Sequence, residues 1–168
     1  MNKTIYRQYD TRWGDKPYPT KNSSFENNGC GACSITHMML EYEKYKNYTP
    51  EKIRKYIVNH NGCVCNQGTY WSAIPSTLKH YGFSVKEYST MDSLWKALEK
   101  APITEGIILF SGGTRNGITW TNGGHYMAFT NYKIKNGKHY FYMKDSGPRK
   151  HDGWYCYETY MKGLVLKV

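Results

Sequence analysis

No stretch of the 168-residue chain approaches 18 consecutive apolar residues, so no membrane-spanning helix is expected. The first ten residues, Met-Asn-Lys-Thr-Ile-Tyr-Arg-Gln-Tyr-Asp, lack the apolar core of a secretory signal. A protein that is cytoplasmic as made, or released by a route that leaves no mark on its sequence, is expected. Internal repeats, low-complexity tracts and proline-rich linkers are also missing, and the length suits one domain, 1–168, with a real core. Acidic residues are scarce. Thirteen Asp+Glu against 23 Lys+Arg leave a formal charge of +10, which favours an anionic partner, either nucleic acid or an anionic cell envelope. The cations are scattered and not gathered on one arm or face, which argues against a specific nucleic-acid footprint. Five cysteines cannot all pair within the chain, and Cys30, Cys33, Cys63 and Cys65 crowd into its first 65 residues. Reduced thiols are the expectation.

What the chain does contain is organised around Asn27-Asn28-Gly29-Cys30-Gly31-Ala32-Cys33. A turn delivers a cysteine, and behind it Ile35, Met38, Met39, Tyr42 and Tyr45 recur at helical spacing. The pattern predicts a helix from about Gly31 to Lys46 with one buried face and Cys30 at its N-terminus. There the macrodipole and unpaired N–H groups favour a thiolate. Gly29 and Gly31 are expected to leave the sulfur uncrowded.

Before this helix, Trp13, Tyr18 and Phe25 are expected to anchor a polar arm. After it, Thr49-Pro50 opens a second helix running to about Asn59. Residues 61–68 read as a loop, and a third helix within 69–81 starts or kinks near Pro75 and stops at Gly82. A short strand from Phe83 to Tyr88 precedes a fourth helix capped by Ser89 or Thr90, with Leu94 and Leu98 inward. Gly106–Phe110 is a buried strand. Ser111–Gly124, with five glycines, reads as a long loop bordering a site. Strands at His125–Lys133 and His139–Lys144 are joined around Asn136-Gly137, and Trp154–Tyr157 and Leu164–Val168 are further strands. Helices first and an antiparallel sheet second is the α+β pattern.

Two residues of the second half suit Cys30 chemically. His125 follows Gly123-Gly124 and opens a strand at the sheet rim, and Asp145 ends the next strand. A histidine oriented by a neighbouring carboxylate is the base half of a nucleophilic triad. Asp145-Ser146-Gly147-Pro148 is also good turn chemistry, which would explain the aspartate by itself. His37 reads as structural, and His60, His80, His139 and His151 as surface residues.

The set Gln8-Tyr9-Asp10-Thr11-Arg12-Trp13, Gly29-Cys30-Gly31, Gly68-Thr69-Tyr70-Trp71, Gly123-Gly124-His125-Tyr126 and Lys144-Asp145-Ser146-Gly147 resembles papain-like cysteine peptidases. The branch it is similar to is that of bacteriocin-leader-processing peptidases, in the single-domain form of Gram-positive bacteria and their phages. The resemblance implies N-terminal helices packed on a C-terminal antiparallel sheet, with Cys30 as nucleophile, His125 as base, Asp145 as orienting acid and Gln8 as oxyanion donor. Gln8 stands 22 residues before Cys30, farther than in the processing peptidases. No cofactor or metal is implied, and a monomer is expected. Peptidoglycan cleavage by a lysin, attracted to anionic wall polymers and released through a holin-type route, is the leading expectation; leader-peptide processing is the alternative. From another class, Cys30-x-x-Cys33 with Cys63-x-Cys65 could form a zinc or protein-binding module, although these spacings do not fit paired zinc knuckles.

Strand parity adds a constraint. A two-residue turn at Asn136-Gly137 pairs Lys135 with Lys138 and, in unbroken register, turns His125 and Asp145 to opposite faces. A triad therefore demands an irregularity, expected as a bulge or odd-length connection near residues 134–138.

Overall fold

The computed structural model describes residues 1–100, 105–115, 117–156 and 165–167. An irregular arm leads into α1 (Phe25–Asn28) and α2 (Cys30–Met39). A 3₁₀ turn (Glu43–Tyr45) and α3 (Pro50–Asn59) follow, then the small hairpin β1 (Cys63–Val64) and β2 (Gly68–Thr69). Next come α4 (Ala73–His80), β3 (Val85–Glu87), α5 (Met91–Lys100) and β4 (Gly106–Phe110). A second small hairpin, β5 (Gly113–Arg115) and β6 (Ile118–Thr121), precedes β7 (His125–Lys135), β8 (Lys138–Lys144), β9 (Gly153–Cys156) and β10 (Val165–Lys167). Six strands form an antiparallel sheet in the order β3-β10-β4-β7-β8-β9. The architecture is the expected α+β, papain-like one. Among the described residues no helix is long and apolar enough to cross a membrane.

Trp13, Tyr18 and Phe25 are buried and tie the arm to the core. Helix α2 differs from its expected form in two ways. It stops at Met39, because Tyr42 is extended at φ −111° and ψ 128° and the chain continues as a 3₁₀ turn. From Gly31 to Met39 every residue is buried, so the helix has no solvent face. It packs against α3 and α4 as well as β4 and β7, and an apolar pattern on all sides marks such a central helix. Its buried polar residues are paired in part: Thr36 Oγ1 donates to the Ala32 carbonyl (2.8 Å), and His37 Nε2 accepts the Tyr6 N–H (2.8 Å).

Other local expectations follow their chemistry. Pro50 occupies the first turn of α3, although the Thr49 side chain makes no cap bond. Pro75 is the third residue of α4, where a missing N–H costs nothing, and Gly82 ends the turn at φ +86°. Thr90 Oγ1 accepts the Ser93 N–H at 3.1 Å, capping α5, and Leu94 and Leu98 are buried. The 61–68 segment contains the β1–β2 hairpin, turned through Asn66 at φ +58° and Gly68 at φ +84°. Ser111–Gly124 also holds a hairpin, β5–β6, where a loop was expected; its glycines mask the β-formers Thr114, Ile118, Thr119 and Trp120. His139 is buried against Trp95 and Tyr132 instead of exposed, and His151 is half-buried. Tyr157, Leu164 and Val168, expected in strands, lie outside the described residues.

The parity requirement is met in a different place from the expected one. Asn136-Gly137 forms a regular two-residue turn, both residues at positive φ (+52° and +72°), pairing Lys135 with Lys138. The register slips farther up, between the pairs Phe129↔Met143 and Tyr132↔Phe141, where Thr130 and Asn131 together oppose Tyr142. Asn131 Oδ1 accepts the Tyr132 N–H at 2.7 Å, satisfying a group beside the bulge. Beyond it Ala128 pairs with Lys144, so Asp145 falls opposite Met127, two residues from His125 and on the same face.

The glycines flanking Cys30 have a packing role as well. A Cβ on Gly29 would lie 2.6 Å from the Phe25 ring, and one on Gly31 would lie 2.6 Å from Thr69 Cβ. By contrast, Gly123 faces open space. We expect Gly31→Ala to lower the unfolding free energy by about 1–3 kcal/mol and Gly123→Ala to stay within about 0.5 kcal/mol. Urea unfolding checks both; equal values would remove the packing role of Gly31.

Candidate active site

Cys30 is the first residue of α2, and His125 the first of β7. The packing of α2 across β7 brings the thiol to the imidazole, with which it shares a side-chain hydrogen bond. His125 Nε2 lies 2.7 Å from Asp145 Oδ1, which leaves Nδ1 as the ring nitrogen available to the sulfur. The backbone N–H groups of Tyr126 and Gly31 also reach the sulfur. All three expected residues therefore meet in one place.

Asp145 is buried and its oxygens are filled. Oδ1 accepts the Gly147 N–H (2.7 Å) as well as His125, and Oδ2 accepts the His151 N–H (2.9 Å). The turn role and the orienting geometry thus coexist in one carboxylate. Gly147 is needed beneath the pair, since a Cβ there would stand 3.1 Å from Asp145 Oδ1 and 3.3 Å from the imidazole. A clamp that the sequence reading missed holds the Asp145 backbone. Asp152 Oδ1 accepts the Asp145 N–H (2.9 Å), Arg7 donates to the Asp145 carbonyl, and Arg7 Nη2 meets Asp152 Oδ2 at 2.6 Å. Arg7 adjoins the Gln8 motif, but nothing in the local pattern singles out Asp152.

Gln8 joins the same cluster. Its N–H donates to the Ser146 carbonyl (3.0 Å), its Oε1 accepts from Ser146 Oγ (3.1 Å), and its Nε2 donates to the Glu26 carbonyl (2.6 Å). The distance from Cys30 in sequence is bridged by folding the arm back along the 145–147 turn. One N–H of the side-chain amide is engaged, and an amide nitrogen carries two.

Two grooves meet at Cys30. One, of about 530 Å³, is lined by Gln8, Asn27, the Trp120–Gly124 segment and Pro148-Arg149. The second, of about 390 Å³, is walled by Asn28, Asn66–Thr69, Leu109 and Tyr126. Tyr126 donates to the Thr69 carbonyl (3.1 Å) and stacks on Trp71, and Tyr18 bonds Thr69 Oγ1 (2.6 Å), which fixes the β1–β2 wall. Among the described residues, no group of three or more His, Cys, Asp or Glu is arranged to hold a metal. The two cysteine pairs do not come together as a zinc site.

The electrostatics favour a charge-separated pair. Burial pushes the Cys30 thiol up, but the His125 hydrogen bond and charge outweigh it and leave the thiol below its ordinary 9.0. Burial likewise opposes charge on His125, yet Asp145 and Cys30 raise it from 6.5 to about 10. Asp145 is raised by burial and lowered more strongly by His125, to about 2. Cys33 is different: burial, with the neighbouring charge of Cys30 adding to it, drives its thiol well above 9.0. The two shifts act oppositely on stability as pH rises: the raised His125 contributes stability that is lost as pH climbs from 6.5 through about 10, and the lowered Cys30 contributes stability that is gained as pH climbs toward its ordinary 9.0. Cys30→Ala removes the compensating half while Asp145 still raises His125, so stability should fall more steeply with rising pH in Cys30→Ala than in the wild type. Urea unfolding at several pH values checks this; parallel slopes for the two proteins would disprove the ion pair.

No curated protein matches this chain. A sequence profile described as the Peptidase_C39 like family matches residues 3–163, almost the whole length and every residue of the cluster above. With that match and the α+β architecture, the chain belongs to the Peptidase_C39-like family and is a papain-like cysteine peptidase by family and fold.

Proposed function

We propose that the chain hydrolyses peptide or amide bonds through a Cys30-His125-Asp145 triad, with peptidoglycan as the substrate. The observation that carries the reading is the continuous contact from Cys30 to His125 to Asp145 at the meeting point of two grooves. The Cys30 thiolate attacks the carbonyl carbon, and the negative charge moves to the carbonyl oxygen. Donors for that oxygen are the backbone N–H of Cys30, at the N-terminus of α2, and the second N–H of Gln8 Nε2. His125 protonates the departing amine as the C–N bond breaks, leaving a thioester on Cys30. Water then attacks the thioester, gives its proton to His125 and releases the acid. Asp145 holds the imidazole with Nε2 bound and Nδ1 toward the sulfur throughout.

The substrate assignment rests on the open double groove, which suits an extended chain, and on the net charge of +10, which attracts anionic wall polymers. Monomeric action and signal-independent release belong to the same proposal. Digestion of purified peptidoglycan, with the new amine and carboxyl termini identified by mass spectrometry, tests it directly. Cleavage confined to peptides carrying a Gly-Gly leader, with intact peptidoglycan, would transfer the proposal to leader processing.

Cys30→Ala should abolish hydrolysis and stoichiometric labelling by a thiol-reactive substrate mimic at neutral pH, while Cys33→Ala keeps both. Labelling at Cys33 would reassign the nucleophile. Exposed charges are screened over about 8 Å at physiological salt. Lysis of whole walls should therefore weaken as salt rises, and cleavage of a small neutral peptide should not. Equal salt sensitivity would remove surface recruitment.

A further inference from the structure

The groove lined by Gln8 and Pro148-Arg149 contains a permanent charge that the hydrolytic steps do not use. Its ionisable lining is Cys30, His125, Asp145 and Arg149. With Cys30 and Asp145 anionic and His125 cationic the first three carry a net charge of −1 held in mutual contact, and Asp145 is buried, so Arg149 is the exposed cation of this lining. Arg7, Arg12 and Arg54 are each paired with a carboxylate. Arg149 is exposed and, among the described residues, bonds only a neutral amide: its Nη2 donates to Asn122 Oδ1 at 2.9 Å, and both residues line the groove. That bond ties the 147–150 turn to the segment after β6. It also holds the guanidinium at the rim and turns the Asn122 amide so that its NH₂ is free to donate. A guanidinium has five N–H donors in a planar fork, and one bond leaves most of them for a second, planar acceptor.

We infer that Arg149, with Asn122 beside it, is a specificity-determining residue that selects substrates carrying a free carboxylate close to the scissile amide. The carboxylate is an acidic side chain or a chain-terminal carboxyl group. The pairing is with the substrate and not with the reacting atoms, so it acts on capture and orientation. The inference rests on the reading of Cys30 as nucleophile in this groove. It is separate from the diffuse attraction of the +10 surface, because it depends on one cation at one wall. A planar carboxylate accepts two parallel bonds from arginine, a geometry a lysine cannot reproduce.

The test uses two small reagents that alkylate Cys30 and differ in one group, iodoacetate with a carboxylate and iodoacetamide without. The ratio of their rates is read at low salt for the wild type, Arg149→Gln, Arg149→Lys and Lys150→Gln. Arg149→Gln should lower the iodoacetate-to-iodoacetamide ratio by about two- to fivefold, as expected for an exposed charge pair. Arg149→Lys should recover part of it, and Lys150→Gln, which removes a neighbouring charge outside the groove lining, should leave the ratio at the wild-type value. A ratio unmoved by Arg149→Gln, or lowered equally by Lys150→Gln, overturns the inference. The second arm compares matched peptides that differ by Glu or Gln at successive positions around the cleaved bond. The wild type should prefer Glu at one position, and Arg149→Gln should bring that preference close to one; a preference that survives overturns the inference. If Cys30 is alkylated but no peptide is cleaved, the hydrolase reading fails while the alkylation ratio still decides the role of Arg149.

Discussion

The site depends first on the burial of α2. A helix surrounded on all sides cannot tilt or slide without opening the core, so the residue at its N-terminus is held at a fixed point against the end of β7. Cys30 gains its position from this packing and its charge state from His125. Ile35, Met38 and Met39, which never approach a substrate, thereby decide where the sulfur sits. The tight contacts of Gly29 with Phe25 and of Gly31 with Thr69 extend the same constraint to the two residues beside the thiol.

The carboxylate side of the site is set by strand parity. One bulge at Thr130-Asn131 shifts the register of β8 against β7 and turns Asp145 to the face occupied by His125. Downstream of the bulge the hairpin closes through an ordinary two-residue turn, so the irregularity lies close to the chemistry and the turn retains its favoured geometry. Arg7 and Asp152 then fix the Asp145 backbone from both of its polar groups, and Gln8 is carried into the site by the same arm. Segments more than a hundred residues apart in sequence thus converge on one turn.

Charge is distributed in three tiers around this frame. Near the reacting atoms, burial opposes ionisation of every group, and only mutual compensation keeps Cys30 and Asp145 anionic with His125 cationic. At the rim, Arg149 has no carboxylate partner among the described residues, and farther out the surplus of lysine and arginine is solvated. In the function proposed above, the inner tier bears on bond making, the rim on which chain is held, and the outer surface on where the protein collects. These three scales are separable because water screens each charge more strongly as exposure increases.

Much of this was legible in the residues. Cys30 behind an Asn-Gly turn, His125 after Gly-Gly and Asp145 at a strand end each sit at an element boundary, and boundaries are marked by local chemistry such as Pro50, Thr90 and Gly82. The α+β order also followed from periodicity alone. The sequence concealed the β5–β6 hairpin, whose glycines interrupt the alternation, and it gave no sign that α2 is buried all round, that His139 is interior, or that Asp152 clamps Asp145. The need for a register shift could be deduced from parity, but its place could not: Asn136-Gly137 satisfies its own turn, whereas the bulge at Thr130-Asn131 lies inside β7, where no glycine or proline marks it. Local backbone preference is encoded within a few residues and can be read there. The meeting of Cys30, His125, Asp145 and Gln8 was decided by the tertiary structure, because it depends on contacts among segments whose separation no local pattern records.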